Sequence, residues 1–332
     1  MALLEIKQFG FSYGTDTEQA VHNITFSVNE GEFLLLIGPS GGGKTTVLRH
    51  LKPEIAPFGK SYGEILYRGR EMKQLPKRVS ATEIGFVMQN PDNQIVTDKV
   101  WHELSFGLEN LGIAPSVIRR RVAEMASFFG IGDWFRKDIG ELSGGQKQLL
   151  NLAGVMVMQP KVLILDEPTS QLDPIAASEF LDTLTKINRE LGTTVVLSEH
   201  RLEEIYCVSD RVAVIEQGRL LSIGTPRHVG DQLSTDRQST SFSGLPTPIQ
   251  VYSAIREGHC PLTVREGRQW LQTVVPAVKH KSLTKPLSAK HPAAVELKDV
   301  FFKYHKTGPD VLSGVNLTAY QGELLCVVGG NG

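Results

Sequence analysis

Residues 33–51 read FLLLIGPSGGGKTTVLRHL, and this stretch decides the fold. Its first five residues form an uninterrupted apolar run, the pattern of a strand buried on both faces of a parallel sheet. The glycine-rich turn that follows fits GxxxxGK[ST], and a helix is predicted over Thr45–Leu51. Glycines let backbone N–H groups approach a phosphate, and the amino end of a helix adds a positive dipole. The stretch therefore predicts a phosphate-binding loop at the edge of an α/β sheet.

The loop supplies the predicted contacts to a nucleotide. Lys44 is expected to reach the β- and γ-phosphates, and Thr45 to place its hydroxyl on Mg²⁺. The other predicted phosphate contacts in and beside the loop are Gly38, Pro39, Ser40, Gly41, Gly42, Gly43 and Thr46.

A second apolar run, Val162–Leu165, ends in two carboxylates, Asp166 and Glu167. The carboxyl ends of parallel strands are where such sheets bind ligands, so Asp166 is predicted on the Mg²⁺ side of the site. Glu167 is then positioned to orient or deprotonate an attacking water. Together with the phosphate loop, these residues predict a nucleoside triphosphatase.

Strands that alternate with helices along the chain predict an α/β sheet. Leu3–Phe11 and Ala20–Val28 alternate apolar with polar residues, which predicts an added antiparallel layer at the N-terminus. The remaining predicted elements are strands at Thr194–Leu197 and Arg211–Glu216 and helices at Val117–Phe129, Gly144–Met158, Pro174–Glu190 and Leu202–Val208.

Composition restricts the classes of function. The chain has 332 residues with 35 basic and 36 acidic side chains, a formal net charge of −1. This balance excludes a globally basic nucleic-acid binder, and no nucleic-acid partner is expected. Apolar runs such as Phe33–Ile37 are about five residues long, against the ~20 that a spanning helix needs. We therefore expect a chain that does not itself cross a membrane.

Residues 142–146 read LSGGQ and precede the strand that ends in Asp166 and Glu167. This arrangement resembles the ATP-binding-cassette (ABC) ATPases. The resemblance implies a P-loop NTPase core with an N-terminal antiparallel β layer and a helical subdomain, and it implies ATP and Mg²⁺ as cofactors. In that family the motif, here Ser143, Gly144, Gly145 and Gln146, closes over the ATP bound to an opposite cassette.

Other elements of the family can be matched to single residues. Tyr13 resembles the aromatic that stacks on adenine, although it also fits a half-buried strand tyrosine. Gln89 resembles the glutamine that joins Mg²⁺ and water to the helical subdomain, and His200 the histidine that contacts the γ-phosphate. Ser170–Asp173 matches the loop that crosses the cassette interface. The implied catalytic residues are thus Glu167, His200 and Gln89, and the implied metal ligands are Thr45, Gln89 and Asp166.

The chain also contains an internal repeat. A shift of 291 residues (296 − 5) aligns residues 5–41 with residues 296–332 without a gap, pairing Tyr13 with Tyr304 and Gly38 with Gly329. We predict a cassette over residues 1–230, a connector over 231–292, and the N-terminal part of a second, truncated cassette over 293–332. The proline-rich connector is expected to be mostly solvated, with small helices at Pro248–Ile255 and Leu262–Leu271.

Residues 89–94, QNPDNQ, and 100–107, VWHELSFG, are similar to the ATPases of energy-coupling-factor transporters, which import cobalt and vitamins. Residues 262–270 in the connector are also similar to the tandem ATPases of that group. The resemblance implies a peripheral subunit on the cytoplasmic face of the cell membrane that powers import of a metal ion or vitamin. Residues 89–110 would receive a coupling helix from transmembrane subunits. The opposite cassette would come from the same longer chain or from a dimer partner.

Two other classes were weighed. A soluble tandem cassette acting on ribosomes or in translation usually has a long basic helical linker, whereas this connector is rich in proline and serine. A chromosome or repair ATPase carries a long coiled coil inside the cassette, and only 54 residues (143 − 89) separate Gln89 from Ser143. The ribosome-associated class remains the alternative, and the substrate is not encoded in any feature of the sequence.

Overall fold

A computed structural model describes residues 2–14, 18–275, 292–304 and 310–327. The chain forms two compact units, Met1–Pro276 and Ala277–Gly332. Each unit is described by itself.

The first unit opens with an antiparallel sheet whose strands lie in the order β2-β1-β4-β5. The second strand mostly alternates buried with exposed residues, as the sequence pattern predicted. In the first strand adjacent residues such as Leu3 and Leu4 are both buried, because irregularities interrupt its register. The strands of this sheet are β1 (Ala2–Tyr13), β2 (Val21–Asn29), β4 (Gly59–Tyr67) and β5 (Arg70–Glu71).

The second sheet has six strands in the order β10-β9-β3-β8-β7-β6. It is parallel except for its edge strand β10, which pairs antiparallel with β9. Every residue of β3, β7 and β8 is buried, which explains their continuous apolar runs. The bounds are β3 (Phe33–Ile37), β6 (Ile84–Val87), β7 (Val162–Asp166), β8 (Thr194–Ser198), β9 (Arg211–Glu216) and β10 (Arg219–Gly224). The predicted α/β fold with an N-terminal antiparallel layer is confirmed.

Helices surround this sheet, and three of them, α3, α4 and α5, contact one another as a helical subdomain. The first seven helices are α1 (Lys44–His50), α2 (Lys77–Glu83), α3 (Val100–Asn110), α4 (Pro115–Phe128), α5 (Gly144–Met156), α6 (Pro174–Leu191) and α7 (Leu202–Ile205). Helix α7 ends at Ile205, three residues before the predicted end at Val208.

The C-terminal part of the first unit differs from the solvated connector that the sequence predicted. Four helices, α8 (Pro226–Leu233), α9 (Thr240–Ser243), α10 (Thr247–Tyr252) and α11 (Val264–Val274), carry apolar side chains into the same core as the large sheet. Ile249 is fully buried, and Trp270 packs edge-on against Tyr252 with ring centroids 5.4 Å apart. Burial of these large side chains extends the compact unit to Pro276, beyond the predicted boundary at residue 230.

The second unit contains a two-stranded antiparallel hairpin of β11 (Ala293–Phe302) and β12 (Leu312–Tyr320). Its register repeats that of β1 and β2 at the offset of 291 residues. Phe302 pairs with Leu312 as Phe11 pairs with Val21. The left-handed backbone of Asp299 also matches that of Gln8. The internal repeat therefore extends from sequence to backbone conformation.

Candidate functional site

The loop between β3 and α1 requires glycine for two separate reasons. Gly38 has φ +141°, and a Cβ there would lie 2.0 Å from the carbonyl oxygen of Ile215. Gly43 has φ +104° at the amino end of α1. The left-handed backbone and the close approach of β9 together exclude a larger side chain at Gly38.

Lys44 is the buried cation of this loop. Its side chain is 3% exposed, and Nζ donates to the carbonyl oxygens of Gly38 at 2.9 Å and Pro39 at 3.1 Å. Burial lowers the pKa of the ammonium group, while the nearby charges of Glu167 and Asp166 oppose that shift. The geometry holds one positive charge inside the loop, where a phosphate group would be bound.

Asp166 ends β7 beside the first helical turn after the loop. Its Oδ1 accepts hydrogen bonds from Thr45 Oγ1 at 3.0 Å and from Ser198 Oγ at 2.9 Å. Burial raises the pKa of this carboxyl, and the two hydroxyl donors act in the opposite direction. Ser198 is a site residue that the sequence did not single out. Its signal is its place at the end of β8, the strand next to β7.

Glu167 is where the predicted catalytic side chains meet. Its Oε1 lies 2.8 Å from Nε2 of His200 and 3.7 Å from Nζ of Lys44. The Oε2 atom accepts from Nε2 of Gln89 at 3.4 Å. Its backbone is left-handed, with φ 45°, and its N–H donates to the carbonyl oxygen of Ser198 at 3.0 Å. Three residues taken from distant parts of the sequence therefore surround one carboxylate.

Tyr13 lies at the end of β1 beside α1. Its hydroxyl is 2.7 Å from Oγ1 of Thr46, and its ring packs edge-on against Phe11 with centroids 4.9 Å apart. The residue is 41% exposed. Its role as the adenine platform stays a prediction.

The LSGGQ motif forms the amino end of α5. Ser143 and Gln146 make a reciprocal capping box, with Ser143 N donating to Gln146 Oε1 at 3.0 Å and Gln146 N to Ser143 Oγ at 3.3 Å. Within the part of the chain that the structure describes, no hydrogen bond joins this motif to the phosphate loop. The predicted contact of this motif with the ATP of an opposite cassette therefore stays a prediction.

Two buried amides tie the Gln89 loop to α5, and the sequence did not single them out. Gln148 Nε2 donates to the carbonyl oxygen of Met88 at 3.1 Å, and Asn151 Nδ2 donates to that of Pro91 at 3.2 Å. The two amides lie three residues apart, on one face of the helix. They connect the loop that carries Gln89 to the helix that carries the LSGGQ motif.

The sequence model of the ABC transporter family matches residues 21–170, a range that spans the phosphate loop, the LSGGQ motif and Glu167. An energy-coupling factor transporter ATP-binding protein, EcfA1, from Symbiobacterium thermophilum is 39% identical over 244 residues, which are 73% of this chain and 83% of the relative. The chain belongs to the ABC transporter ATPases.

Two further comparisons agree with this family. A Bacillus anthracis relative, named provisionally as an ABC transporter ATP-binding protein, is 42% identical over 332 residues, all of this chain and 60% of its own length. The solved structure of cbiO1 from Clostridium perfringens, part of the ABC transporter complex cbiONQ, is 31% identical with a TM-score of 0.62. That match covers 71% of this chain and 95% of cbiO1. The chain thus spans about 60% of the length of the Bacillus relative.

The described helices are too short or too polar to cross a bilayer. Among residues 2–14, 18–275, 292–304 and 310–327, none has both the length and the apolar character of a spanning helix.

Proposed function

We propose that this ABC ATPase powers import of a small substrate, a metal ion or a vitamin, through separate transmembrane subunits of the energy-coupling-factor type. The observation that carries this proposal is an apolar groove next to the Gln89 loop. The similarity to EcfA1 and to cbiO1, each a component of a transporter, supports it. The ATPase would lie peripherally on the cytoplasmic face of the membrane.

The groove has a volume of about 420 Å³ and lies between the large sheet and the helical subdomain. Its lining includes Phe86, Met88 and Gln94 from β6 and the loop that follows it, and Gly107 and Leu111 at the end of α3. Gln94 also fixes the loop, because its Oε1 accepts from Met88 N at 2.9 Å and its Nε2 donates to Phe86 O at 2.9 Å. A helix inserted in this groove would press directly on the loop that carries Gln89.

Hydrolysis requires a group that orients water against the terminal phosphate. Glu167 is the candidate, because its carboxylate lies within hydrogen-bond distance of His200 and beside Lys44. Lys44 would neutralise charge that develops on the phosphate. His200 would contact both the Glu167 carboxylate and the phosphate, and so fix their relative positions. A shift of Gln89 when ATP binds would move the loop that carries it, and this loop lies next to the groove.

The residues present also fit Mg²⁺. Thr45 Oγ1 and Asp166 Oδ1 lie 3.0 Å apart, and the side-chain amide of Gln89 contacts Glu167, the residue next to Asp166. Hydroxyl, carboxylate and amide oxygens are the ligands that this hard cation prefers. When bound, Mg²⁺ would supply positive charge to the phosphate oxygens.

The LSGGQ motif would complete the site of an opposite cassette. The β11–β12 hairpin has the same register as β1 and β2, which supports a second cassette that begins near residue 293. Two cassettes that close over ATP and separate after hydrolysis would transmit their motion through the Gln89 loop.

Isolation of the chain from membranes tests the transport assignment. We expect the chain to co-purify with transmembrane proteins in detergent, and the Leu111→Glu variant to lose them because it places a charge in the apolar groove. The exposed Glu190→Gln variant on α6 is the control and should retain the partners. Sedimentation with ribosomes in place of membrane partners would contradict transport and support the translation alternative.

A further inference from the structure

The C-terminal helices of the first unit contact α7, which begins two residues after His200. The Thr247 N–H and the Thr247 hydroxyl both donate to Oε1 of Glu203, at 2.9 and 2.6 Å. Glu203 lies in α7, and Thr247 is the first residue of α10. A carboxylate at the amino end of a helix is favoured both by the free N–H groups and by the helix dipole.

The same segment is anchored at its other end. Glu216 Oε2 accepts from Ser241 Oγ at 2.7 Å, and Glu216 Oε1 accepts from Thr240 Oγ1 at 3.2 Å. Glu216 ends β9 directly after Ile215, the residue whose carbonyl lies against Gly38. Residues 240–247 thus run from β9, the strand next to the phosphate loop, to α7, the helix that follows His200.

Apolar contacts hold this segment in place between its polar ends. Phe242 and Leu245 are 8% and 2% exposed and belong to the same buried cluster as Leu202 and Ile205 of α7. A cavity of about 480 Å³ lies beside them, lined in part by Pro174, His200, Glu203, Ser243 and Gln250. In the described part of the chain, the hydrogen bonds between residues 240–250 and residues 199–206 all end on Glu203.

We propose that Glu203 and Thr247 are positioning residues that set the place of His200 beside Glu167. His200 is exposed on one side, and its Nε2 contact to Glu167 depends on where the backbone before α7 lies. Glu199 holds the N–H groups of His200 and Arg201, and the C-terminal helices add a second anchor to this backbone through Glu203. This inference rests on the proposed hydrolysis at Glu167 and assigns to the C-terminal helices a role in it.

Steady-state ATPase measurements on the 332-residue chain test whether Thr247 affects the rate of hydrolysis. Thr247→Val should lower kcat by roughly three- to tenfold, below the ~100-fold loss that a 1 Å misplacement can cause. The KM for ATP should change less than about twofold, because no hydrogen bond among the described residues joins α7 to the phosphate loop. Thr247→Ser should restore kcat, since it keeps the hydroxyl. Ser243→Ala is the matched control, as the Ser243 hydroxyl donates only to the carbonyl of Thr240 in its own segment.

An NMR readout separates this inference from the proposed function. The ring signal of His200, assigned by its loss in His200→Gln, should shift in Thr247→Val and in Glu203→Ala and should be unchanged in Ser243→Ala. If Thr247→Val does not fold, Glu203→Ala tests the same contact. A chain without ATPase activity above that of Glu167→Gln would contradict the proposed function, while the histidine shift would still support the contact. An unshifted His200 signal, or a wild-type kcat in folded Thr247→Val, would overturn the positioning role.

Discussion

Glu167 combines its contacts to His200 and Lys44 with an unusual backbone. Its φ of 45° lies in the left-handed region, which is uncommon for residues other than glycine and costs of order 1–3 kcal/mol. Two groups of β8 hold this conformation, because the Glu167 N–H donates to both the backbone oxygen and the hydroxyl of Ser198. The sequence singles out Glu167 as the predicted catalytic residue, and it contains no signal for the left-handed backbone that aims its side chain.

The Glu167→Gln variant should bind ATP and fail to hydrolyse it. Glutamine keeps the shape and one acceptor oxygen but cannot take a proton, so we expect phosphate release to fall by about 10²–10⁴-fold. Phosphate release and retention of labelled ATP on a gel-filtration column measure the two steps. Glu190→Gln, an exposed substitution on α6, should leave both unchanged. Full hydrolysis by Glu167→Gln would reject its catalytic role.

His50 is expected to make the stability of the first unit depend on pH. Its ring is buried against Phe9 and Phe11, with centroids 4.8 and 4.5 Å away, and Nδ1 lies 2.7 Å from the carbonyl oxygen of Thr46. Burial lowers the pKa of His50, the Lys73 charge lowers it further, and the Thr46 bond opposes both.

The sign of that dependence follows from proton binding. Between the lowered folded pKa and the ordinary value of ~6.5, the unfolded chain binds more protons than the folded one. The free energy of unfolding should therefore fall as pH drops from about 7.5 to about 5.5, and His50→Gln should reduce this loss. Urea denaturation at both pH values measures it, with the exposed His259→Gln as control. An equal pH dependence in His50→Gln and in the wild type would reject the assignment.

At the scale of elements, the sequence predicted the buried central strands, whereas the strands β4, β6 and β10 were not predicted. Buried parallel strands such as β7 and β8 have continuous apolar runs that few other structures produce. The sequence analysis predicts no helix at α3, whose residues it assigns only to the expected partner groove. The C-terminal helices were missed as packed elements because prolines and serines surround short apolar groups. Pro248 is itself buried at the start of α10, where a missing N–H costs nothing.

The amino end of α5 should serve two functions that can be separated by substitution. Ser143 caps α5, and Thr225 caps α8 with its side chain accepting from His228 N. Either change to alanine should cost about 1 kcal/mol of stability, because each removes one helix cap. Only Ser143→Ala should also lower hydrolysis, because the proposed closed dimer places that hydroxyl on the opposite ATP. Thermal unfolding and phosphate release measure the two effects, and equal activity in both variants would contradict the dimer contact.

At the scale of the whole molecule, the repeat was predictable because two strands and a turn align without a gap. The register of β11 and β12 gives that alignment a structural basis, since each paired residue has its counterpart in β1 and β2. The extent of the first unit was not predictable in the same way. Its boundary depends on long-range burial of side chains such as Trp270, which no local pattern around residues 231–275 specifies.

Two truncations test where the first unit ends. A chain of residues 1–276 keeps the helices α8 to α11, whereas a chain of residues 1–230 removes buried Phe242, Leu245, Ile249, Tyr252 and Trp270. Burial of such side chains contributes about 1.5–3 kcal/mol each, and their sum is comparable to the ~5–15 kcal/mol that stabilises a typical domain. The longer chain should therefore unfold in one cooperative thermal transition, and the shorter one should aggregate or melt without a sharp transition. If both unfolded at the same temperature, residues 231–276 would be a connector and the apolar packing of α8 to α11 would contribute nothing to the stability of the cassette.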